Sequence, residues 1–397
     1  MSDLTREKLN QAAAIVAQSG VDVWLTFVRE TSALSDPCLP FLMEGGLTWQ
    51  SALLVSKSGT KVAVVGNFDT DGLQHSGDWD ELIGYVQSIR EPLLDALEEL
   101  IPVSVAAPQI AVNYSENDDK CDGLTYGMFR LLESYLAHTR FTNALVSAEP
   151  IIRALRGRKT ASELAAMRGA ITETDTLFAE VAGFATLGCT ERQIGAFVHG
   201  KIHERGLGFA WEAEGNPMVN CGPHSAVGHG TPSELALEAG HILHLDLGVV
   251  QNGYASDLQR CWFVGSYIPE AVFRAHAAVL GAIEAGFAAL KPGVSGWEVD
   301  AAARSFLVAA GYPEYLHALG HQVGRVAHDG GGILGPCWAR YGQTPYWEIE
   351  VGQVYTLELG VRVEGYGYWS LEDMVVVTEG GAEWLSTPQR DVWTLPS

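Results

Sequence analysis

Apolar and polar positions alternate differently in the two halves of the chain. In residues 1–150, a helical stripe from Leu9 to Val16 ends at Gly20, and short apolar runs such as SALLVS and KVAVVG and the helical segment REPLLDALEEL follow it. Helices that alternate with short apolar strands are typical of an α/β layer structure. The pattern therefore predicts an α/β amino-terminal domain over residues 1–150.

From about Ile151 the pattern changes to long helices separated by glycine-rich strands, which predicts a second domain over residues 151–397. Three helix starts carry capping boxes, in which Thr or Ser is followed three residues later by Glu or Gln. They are Thr160 with Glu163, Thr190 with Gln193, and Ser295 with Glu298. Gly206 and Gly311 are the predicted ends of the last two helices.

The segment HLDLGVVQNGYASDLQR predicts a β-hairpin, because Asn252-Gly253 between apolar runs favours a two-residue turn. Across such a turn, residues an odd number apart lie on the same face. Asp246 and Asp257 are 11 residues apart and should be direct or diagonal cross-strand neighbours. Two adjacent carboxylates in an apolar sheet must share a proton, meet basic groups or bind cations. The alternative is a solvated strand face that carries two unrelated acids.

Composition narrows the class of protein. The chain has 397 residues, of which 47% are hydrophobic and 18% charged, and this favours a folded protein with sizeable cores. The net charge of −23 disfavours nucleic acid and anionic membrane surfaces as partners. Six scattered cysteines without a C-x-x-C pair disfavour structural disulfides and a thiolate zinc site.

The amino-terminal sequence MSDLTREKLNQ lacks the basic and apolar regions of a signal peptide. No apolar run approaches the ~20 residues that span a bilayer. We therefore expect a cytoplasmic protein that binds neither nucleic acid nor a membrane.

Further side chains of metal-ligand type are concentrated in the second half. The segment HALGHQVGRVAHD carries His317, His321 and His328, VYTLELG carries Glu358, and YWSLED carries Glu372. Any one of these residues alone would be more often structural. With the two aspartates they predict a site of four carboxylates and one imidazole, which suits a pair of Mn, Co, Fe(II) or Zn ions better than a structural zinc.

In these motifs the sequence resembles the metallopeptidases of the pita-bread fold, family M24, in the branch of aminopeptidase P, prolidase and creatinase. The family's five ligands follow the order Asp, Asp, His, Glu, Glu, with the first two 11 residues apart. They match Asp246, Asp257, His321, Glu358 and Glu372. The resemblance implies an α+β pita-bread catalytic domain over residues 151–397, preceded by a creatinase/prolidase-like α/β domain over residues 1–150.

The resemblance also implies the chemistry. Two divalent ions would be bound, manganese being expected first and cobalt, zinc or iron as alternatives. Asp246 would hold one ion, Asp257 and Glu372 would bridge both, and His321 with Glu358 would complete the other. A bridging hydroxide would attack the amide carbon, and Glu358 would move the proton to the leaving nitrogen.

Three histidines match catalytic positions of the family. His229, in SAVGHG, resembles the histidine that contacts the substrate amide and helps to protonate the leaving group. His317 and His328 resemble those that line the pocket and stabilise the oxyanion. The alternative for each is a hydrogen-bonded structural histidine, the role we assign to His224, His241 and His244.

Three positions depart from the usual motifs of the family, and the first of them changes only the local turn. Leu359 replaces the proline of the usual TIEPG, Ser370 stands where an arginine is usual, and Gln259 replaces a threonine or serine. The last two changes leave open whether proline is required. Arg340 is a candidate clamp for a substrate carboxylate, although an ordinary surface ion pair is the favoured reading.

The resemblance therefore predicts a homodimeric enzyme that cleaves the bond after the amino-terminal residue, in Xaa-Pro peptides, as aminopeptidase P or prolidase does. One alternative is a non-peptidase enzyme of the same fold, either a hydrolase of a small amide or amidine or a metal-dependent lyase. The other is a binding protein without catalysis, which the complete ligand set disfavours.

Overall fold

The computed structural model describes residues 3–74, 78–228 and 230–397. The chain divides into two compact units, and the boundary along the sequence lies between Arg156 and Gly157. The predicted boundary after residue 150 falls inside helix Glu149–Gly157, whose residues Ile151 and Leu155 are buried in the core of the first unit.

The first unit is a six-stranded sheet with helices on both faces. Its helices are α1 Asp3–Gln18, α2 Leu39–Leu42, α3 Thr70–Gln74, α4 Arg90–Leu100, α5 Tyr126–Leu136 and α6 Glu149–Gly157. Its strands are β1 Val23–Val28, β2 Ser51–Ser56, β3 Lys61–Gly66, β4 Glu81–Tyr85, β5 Ile110–Val112 and β6 Leu145–Ser147, in the order β4-β3-β2-β1-β5-β6.

Alternation along β1 explains the two layers. Trp24 packs in one core with residues of α1, whereas Val23 and Leu25 pack in the other with residues of α4 and α5. Both faces of the sheet are thus covered by helices, and the predicted α/β domain is confirmed.

The second unit mixes helices with mostly antiparallel strands. Its helices are α7 Ala161–Phe184, α8 Glu191–Glu204, α9 Glu270–Ala289 and α10 Gly296–Ala309. Its strands are β7 Gly208–Phe209, β8 Met218–Cys221, β9 Ile242–Leu247, β10 Val249–Gln251, β11 Tyr254–Ala255, β12 Leu258–Val264, β13 Val354–Val363, β14 Gly367–Thr378, β15 Gly381–Trp384 and β16 Trp393–Leu395. The main sheet runs β13-β14-β12-β9-β8, and β11-β10-β7 form a smaller one.

Helix α9 is the described helix long and apolar enough to cross a membrane by length and composition. It carries Glu270 and Arg274, and its residues Val272, Val279 and Ile283 are buried in one core with residues of β13 and β14. This placement is typical of a core helix.

The predicted helix boundaries are confirmed. Thr160 and Glu163 exchange both capping hydrogen bonds at the start of α7, and Thr190 and Gln193 do so at the start of α8. At α10 the Glu298 carboxylate accepts from the amide of Ser295 at 2.8 Å. Just beyond α8 and α10, Gly206 and Gly311 have φ of 65° and 90°, which glycine adopts without strain.

Glu163 also ties α7 to the hairpin. It is fully buried; Oε2 accepts from the Thr160 amide at 2.8 Å and Oε1 from the Tyr254 hydroxyl at 2.8 Å. We expect Glu163→Ala to lower the free energy of unfolding by about 2–3 kcal/mol, because a cap is lost and a buried hydroxyl loses its acceptor. Urea unfolding measures this change. Tyr254→Phe, which keeps the cap, should cost less, and a Glu163→Ala change below 0.5 kcal/mol would contradict this role.

The hairpin forms as predicted. Gln251 pairs with Tyr254, so Asn252 and Gly253 form the two-residue turn with φ of 51° and 78°. The same register continues into β9 and β12, where Asp246 pairs with Gln259. Asp257 precedes Gln259 by two residues, which makes the two aspartates diagonal neighbours.

Candidate active site

Strand register aligns acids from three strands in one row across the main sheet. Asp246 in β9 pairs with Gln259 in β12, Gln259 pairs with Glu372 in β14, and Glu372 pairs with Glu358 in β13. Residues that pair directly in adjacent strands project to the same face of a sheet. Three carboxylates and one amide therefore share a face. Asp257 lies on the same face, because it precedes Gln259 by two residues.

The opposite face carries an acid with a fixed counterion. Asp373, next to Glu372, accepts a hydrogen bond from Arg260 at 2.9 Å, and both side chains are about 99% buried. Arg260, next to Gln259 in β12, also donates to the Glu372 carbonyl at 2.8 Å. The chain thus supplies a cation to the acid on that face.

His321 reaches the acids from the segment between α10 and β13. The Thr356 amide in β13 donates to the His321 carbonyl at 2.9 Å, and the His321 amide donates to the Thr356 hydroxyl at 3.1 Å. A Cβ on Gly320 would overlap the Thr356 carbonyl oxygen, so this close approach requires glycine. His321 Nε2 lies 3.6 Å from Asp257 Oδ2 and 3.6 Å from Glu358 Oε1.

All five residues predicted as ligands line one cavity of about 470 Å³. The other lining residues are Trp211, Glu212, Gly215, Met218, Ala327 and His328. The sequence held no signal for Trp211, Glu212 and Met218, because they lie outside the segments that carry the predicted ligands. The structure therefore brings the predicted ligands together.

The acids are buried with like charges around them. Burial first, and then neighbouring carboxylates, raise the pKa of Asp246, Asp257 and Glu372 well above the ordinary values. Burial raises the pKa of Glu358 to about 7. Burial, with His328 nearby, lowers the pKa of His321 to about 3, so its ring is neutral. If all four carboxylates are ionised they require cations, and no described residue that lines the cavity is a Lys or Arg.

The donor set fits divalent metal ions. Within the described residues, no Lys or Arg lines the cavity, and Asp246 Oδ1 and Glu372 Oε2 are buried without a hydrogen-bond partner. Ligand atoms of Asp257, His321 and Glu372 all lie within 4.8 Å of one another. Carboxylate oxygens and one neutral imidazole are donors that Mn²⁺ and similar ions accept.

The other predicted histidines have different outcomes. His328 lines the same cavity, and its ring lies edge to face with that of His321 at 4.3 Å between centroids. His317 lines an adjoining cavity of about 340 Å³. His229 lies outside the described residues. Its predicted role stays a prediction.

The sequence favoured a surface ion pair for Arg340, and the structure gives it other contacts. It donates to the Leu316 carbonyl at 2.6 Å and to the Tyr341 hydroxyl at 3.0 Å, and it lies over the Trp338 ring. Among the described residues these contacts take the place of a surface ion pair. Ser370, which stands where the family usually has arginine, donates to the Leu359 carbonyl at 3.1 Å.

One contact in the site was not predicted. Gln259 donates to Glu358 Oε2 at 2.9 Å, and its own oxygen lies 3.0 Å from Nε2 of His244. His244 precedes Asp246 by two residues in β9, so strand periodicity placed it on the face of the acids. That periodicity is the signal by which the sequence could have indicated this contact.

Comparisons with known proteins agree with this geometry. The model of metallopeptidase family M24 matches residues 165–379. An uncharacterized peptidase of Staphylococcus saprophyticus is 33% identical over 237 residues, 59% of this chain and 64% of that protein. The Xaa-Pro dipeptidase of Pyrococcus furiosus is 31% identical over 245 residues, 62% of this chain and 67% of that protein.

The structure is similar to the crystal structure of the dipeptidase PepE from Mycobacterium ulcerans. The TM-score is 0.74 at 25% identity, with 99% of this chain and 98% of that one covered. The α/β amino-terminal domain is followed by the α+β domain of the pita-bread fold, as predicted. The family match, more than half of the chain, shows that this protein belongs to metallopeptidase family M24.

Proposed function

We propose that the protein is a dinuclear Xaa-Pro peptidase, which hydrolyses the amide bond after the amino-terminal residue of its substrate. The observation that carries the proposal is the cavity in which four carboxylates and a neutral imidazole meet without a cation from the described residues. The similarity to a protein named Xaa-Pro dipeptidase supports the substrate class.

Five residues would hold the two ions, for which we propose manganese. They are the cavity-lining residues Asp246, Asp257, His321, Glu358 and Glu372. When bound, the ions would polarise the scissile carbonyl and lower the pKa of the attacking water. They would also neutralise the buried acids, since the cavity-lining residues described here include no Lys or Arg.

Protons in this reaction would pass through residues of the cavity. Glu358 lines the cavity and would accept the proton of the attacking water and deliver it to the leaving nitrogen. His328 lies against His321 on the cavity wall and would stabilise the developing oxyanion together with His317. We propose His229 as the contact to the substrate amide.

The adjoining cavity would take the residue after the scissile bond. It shares Asp246, His321 and Glu358 with the metal cavity. Its other walls include Tyr315, Tyr341, Tyr368, Val227 and Ile333. Aromatic and aliphatic walls suit a proline ring. We further propose a homodimer located in the cytoplasm, which rests on the family resemblance and the sequence.

The test is mass spectrometry of a peptide pool incubated with the Mn²⁺-loaded protein. The pool contains Ala-Pro, Ala-Pro-Ala and longer Xaa-Pro peptides, each with a matched peptide that has alanine in place of proline. We expect release of the first residue from the proline peptides, at least tenfold faster than from their matched controls. The lengths cleaved separate the prolidase type from the aminopeptidase P type.

Two results would contradict the proposal. Equal cleavage of the alanine controls would remove the proline requirement. No cleavage of any peptide by protein that holds two Mn²⁺ ions would instead favour a hydrolase or lyase that acts on a small molecule.

A further inference from the structure

A line of buried polar side chains leads from the start of α8 to Glu358. Its members are Glu191, Ser225, Asn220, His244, Gln259 and Glu358. The first five are at least 95% buried. Because buried polar groups are costly unless they are paired, such a line has defined side-chain positions.

Glu191 fixes the far end of the line. Its Oε1 accepts from the Ser225 hydroxyl at 2.5 Å and from the Cys221 amide at 2.8 Å. Its Oε2 accepts from the Ser233 hydroxyl at 2.6 Å and from the Ser233 amide at 2.9 Å. With four donors on its two oxygens, this carboxylate is held rigidly.

Asn220 lies between Ser225, which contacts this carboxylate, and His244. The Asn220 nitrogen donates to the Ala226 carbonyl at 2.6 Å and to the Ser225 hydroxyl at 2.9 Å. Since a carbonyl only accepts, these contacts fix the amide, and the Asn220 oxygen lies 2.9 Å from Nδ1 of His244. The imidazole also packs edge to face on the Tyr368 ring, at 5.5 Å between centroids. Burial lowers the pKa of His244 to about 4, so its ring is neutral and donates from one nitrogen only. Donation from Nε2 to the Gln259 oxygen is the tautomer that holds Gln259.

Gln259 connects the imidazole to the site. Its oxygen lies 3.0 Å from Nε2 of His244, and its nitrogen donates to Glu358 Oε2 at 2.9 Å. The other oxygen of Glu358, Oε1, lies 3.6 Å from Nε2 of His321. The two carboxylate oxygens thus have separate partners: one is held by Gln259 and the other faces His321.

We propose that Gln259 is a positioning residue, which is held by His244 and keeps Oε1 of Glu358 directed at the metal position. The proposal rests on the proposed function of Glu358. A glutamine side chain has three rotatable bonds, so without His244 its amide would adopt several orientations. The Glu358 carboxylate would then rotate, which would weaken metal binding and slow proton transfer.

The test compares four variants with the wild-type protein: Gln259→Met, His244→Leu, the double variant and His244→Gln. Methionine matches the length of glutamine without its hydrogen bonds, and glutamine at 244 keeps a polar group for Gln259. Calorimetric titration of the metal-free proteins with Mn²⁺ gives the Kd, peptide hydrolysis gives kcat and KM, and thermal unfolding gives Tm.

We expect Gln259→Met to weaken Mn²⁺ binding about tenfold and to lower kcat by about 10- to 100-fold, with KM nearly unchanged. His244→Leu should give losses of the same size. Because the two residues act in series, the double variant should lose no more than either single variant. His244→Gln should recover most of the Mn²⁺ affinity.

Other outcomes overturn the proposal. One is a Gln259→Met protein with a lower Tm but unchanged Mn²⁺ affinity and kcat, since the contact would then serve folding alone. Another is additive losses in the double variant. If wild-type protein binds Mn²⁺ but cleaves no peptide, the proposed function fails and the Mn²⁺ affinities still decide on Gln259. If it binds no Mn²⁺, both proposals fail.

Discussion

Glu372→Gln is expected to lower kcat/KM for Xaa-Pro peptides by at least about 10³-fold. Glu372 lies in the middle of the acidic row, and its ligand atom is within 4.8 Å of those of Asp257 and His321. Glutamine keeps the shape but removes the charge that would serve both ions. Metal ions contribute several kcal/mol to such reactions, and each 1.36 kcal/mol is tenfold in rate. Steady-state kinetics with Mn²⁺ measures the loss.

The same variant should fold normally. Glutamine relieves repulsion among the buried acids, so the metal-free Tm should stay equal to that of the wild type or rise. Glu364→Gln, at an exposed position after β13, is the matched control and should retain full activity. Retention of full activity and of two metal ions per chain by Glu372→Gln would remove Glu372 from the proposed site.

Metal binding is expected to remove the pH dependence of stability that the carboxylates of the site impose. Burial raises the pKa of Glu358 from 4.5 to about 7, and the pKa values of Asp246, Asp257 and Glu372 move in the same direction. Between pH 4.5 and 7 the metal-free folded protein therefore keeps protons that the unfolded chain has released. The lowered pKa of His321 acts in the opposite direction, but four carboxyl groups outweigh one imidazole, so stability should fall as pH rises through this window.

Bound metal ions require the ionised carboxylates, so their affinity should rise with pH over the same range. At Mn²⁺ concentrations of 100 times the Kd, a single site adds about 2.7 kcal/mol to the free energy of unfolding. At one fixed Mn²⁺ concentration, calorimetric unfolding of metal-free and Mn²⁺-loaded protein should show a difference that grows from pH 5 to 6, 7 and 8. A constant difference would contradict the coupling of metal binding to carboxylate ionisation. Because both samples are compared at the same pH, the effect of the chain's net charge on stability cancels.

The hairpin shows how much of the site local rules predict. The Asn252-Gly253 turn and the two-residue period of strands were enough to place Asp246 and Asp257 together. The capping box at the start of α7 could also be predicted from the sequence, because Thr160 and Glu163 contact each other within one turn of helix.

The rest of the site depends on long-range pairing. Glu358 and Glu372 were candidates by residue type, but their alignment with each other requires the register between β13 and β14, which local patterns do not give. His321 is brought in by a close approach at Gly320, which local patterns do not show. Strand periodicity places Gln259 and His244 on one face, but their hydrogen bond also depends on side-chain rotamers, which periodicity does not specify.

The alternation along β12 has a further consequence. Gln259 lies in the acidic row, and the next residue, Arg260, serves Asp373 on the other face. A shift of the register by one residue would exchange their faces and place the guanidinium among the carboxylates. An internal salt bridge would then remove the need for ions from solution. The two-residue turn that sets this register therefore decides whether the acids of this sheet can form the proposed metal site or would form an inert ionic core.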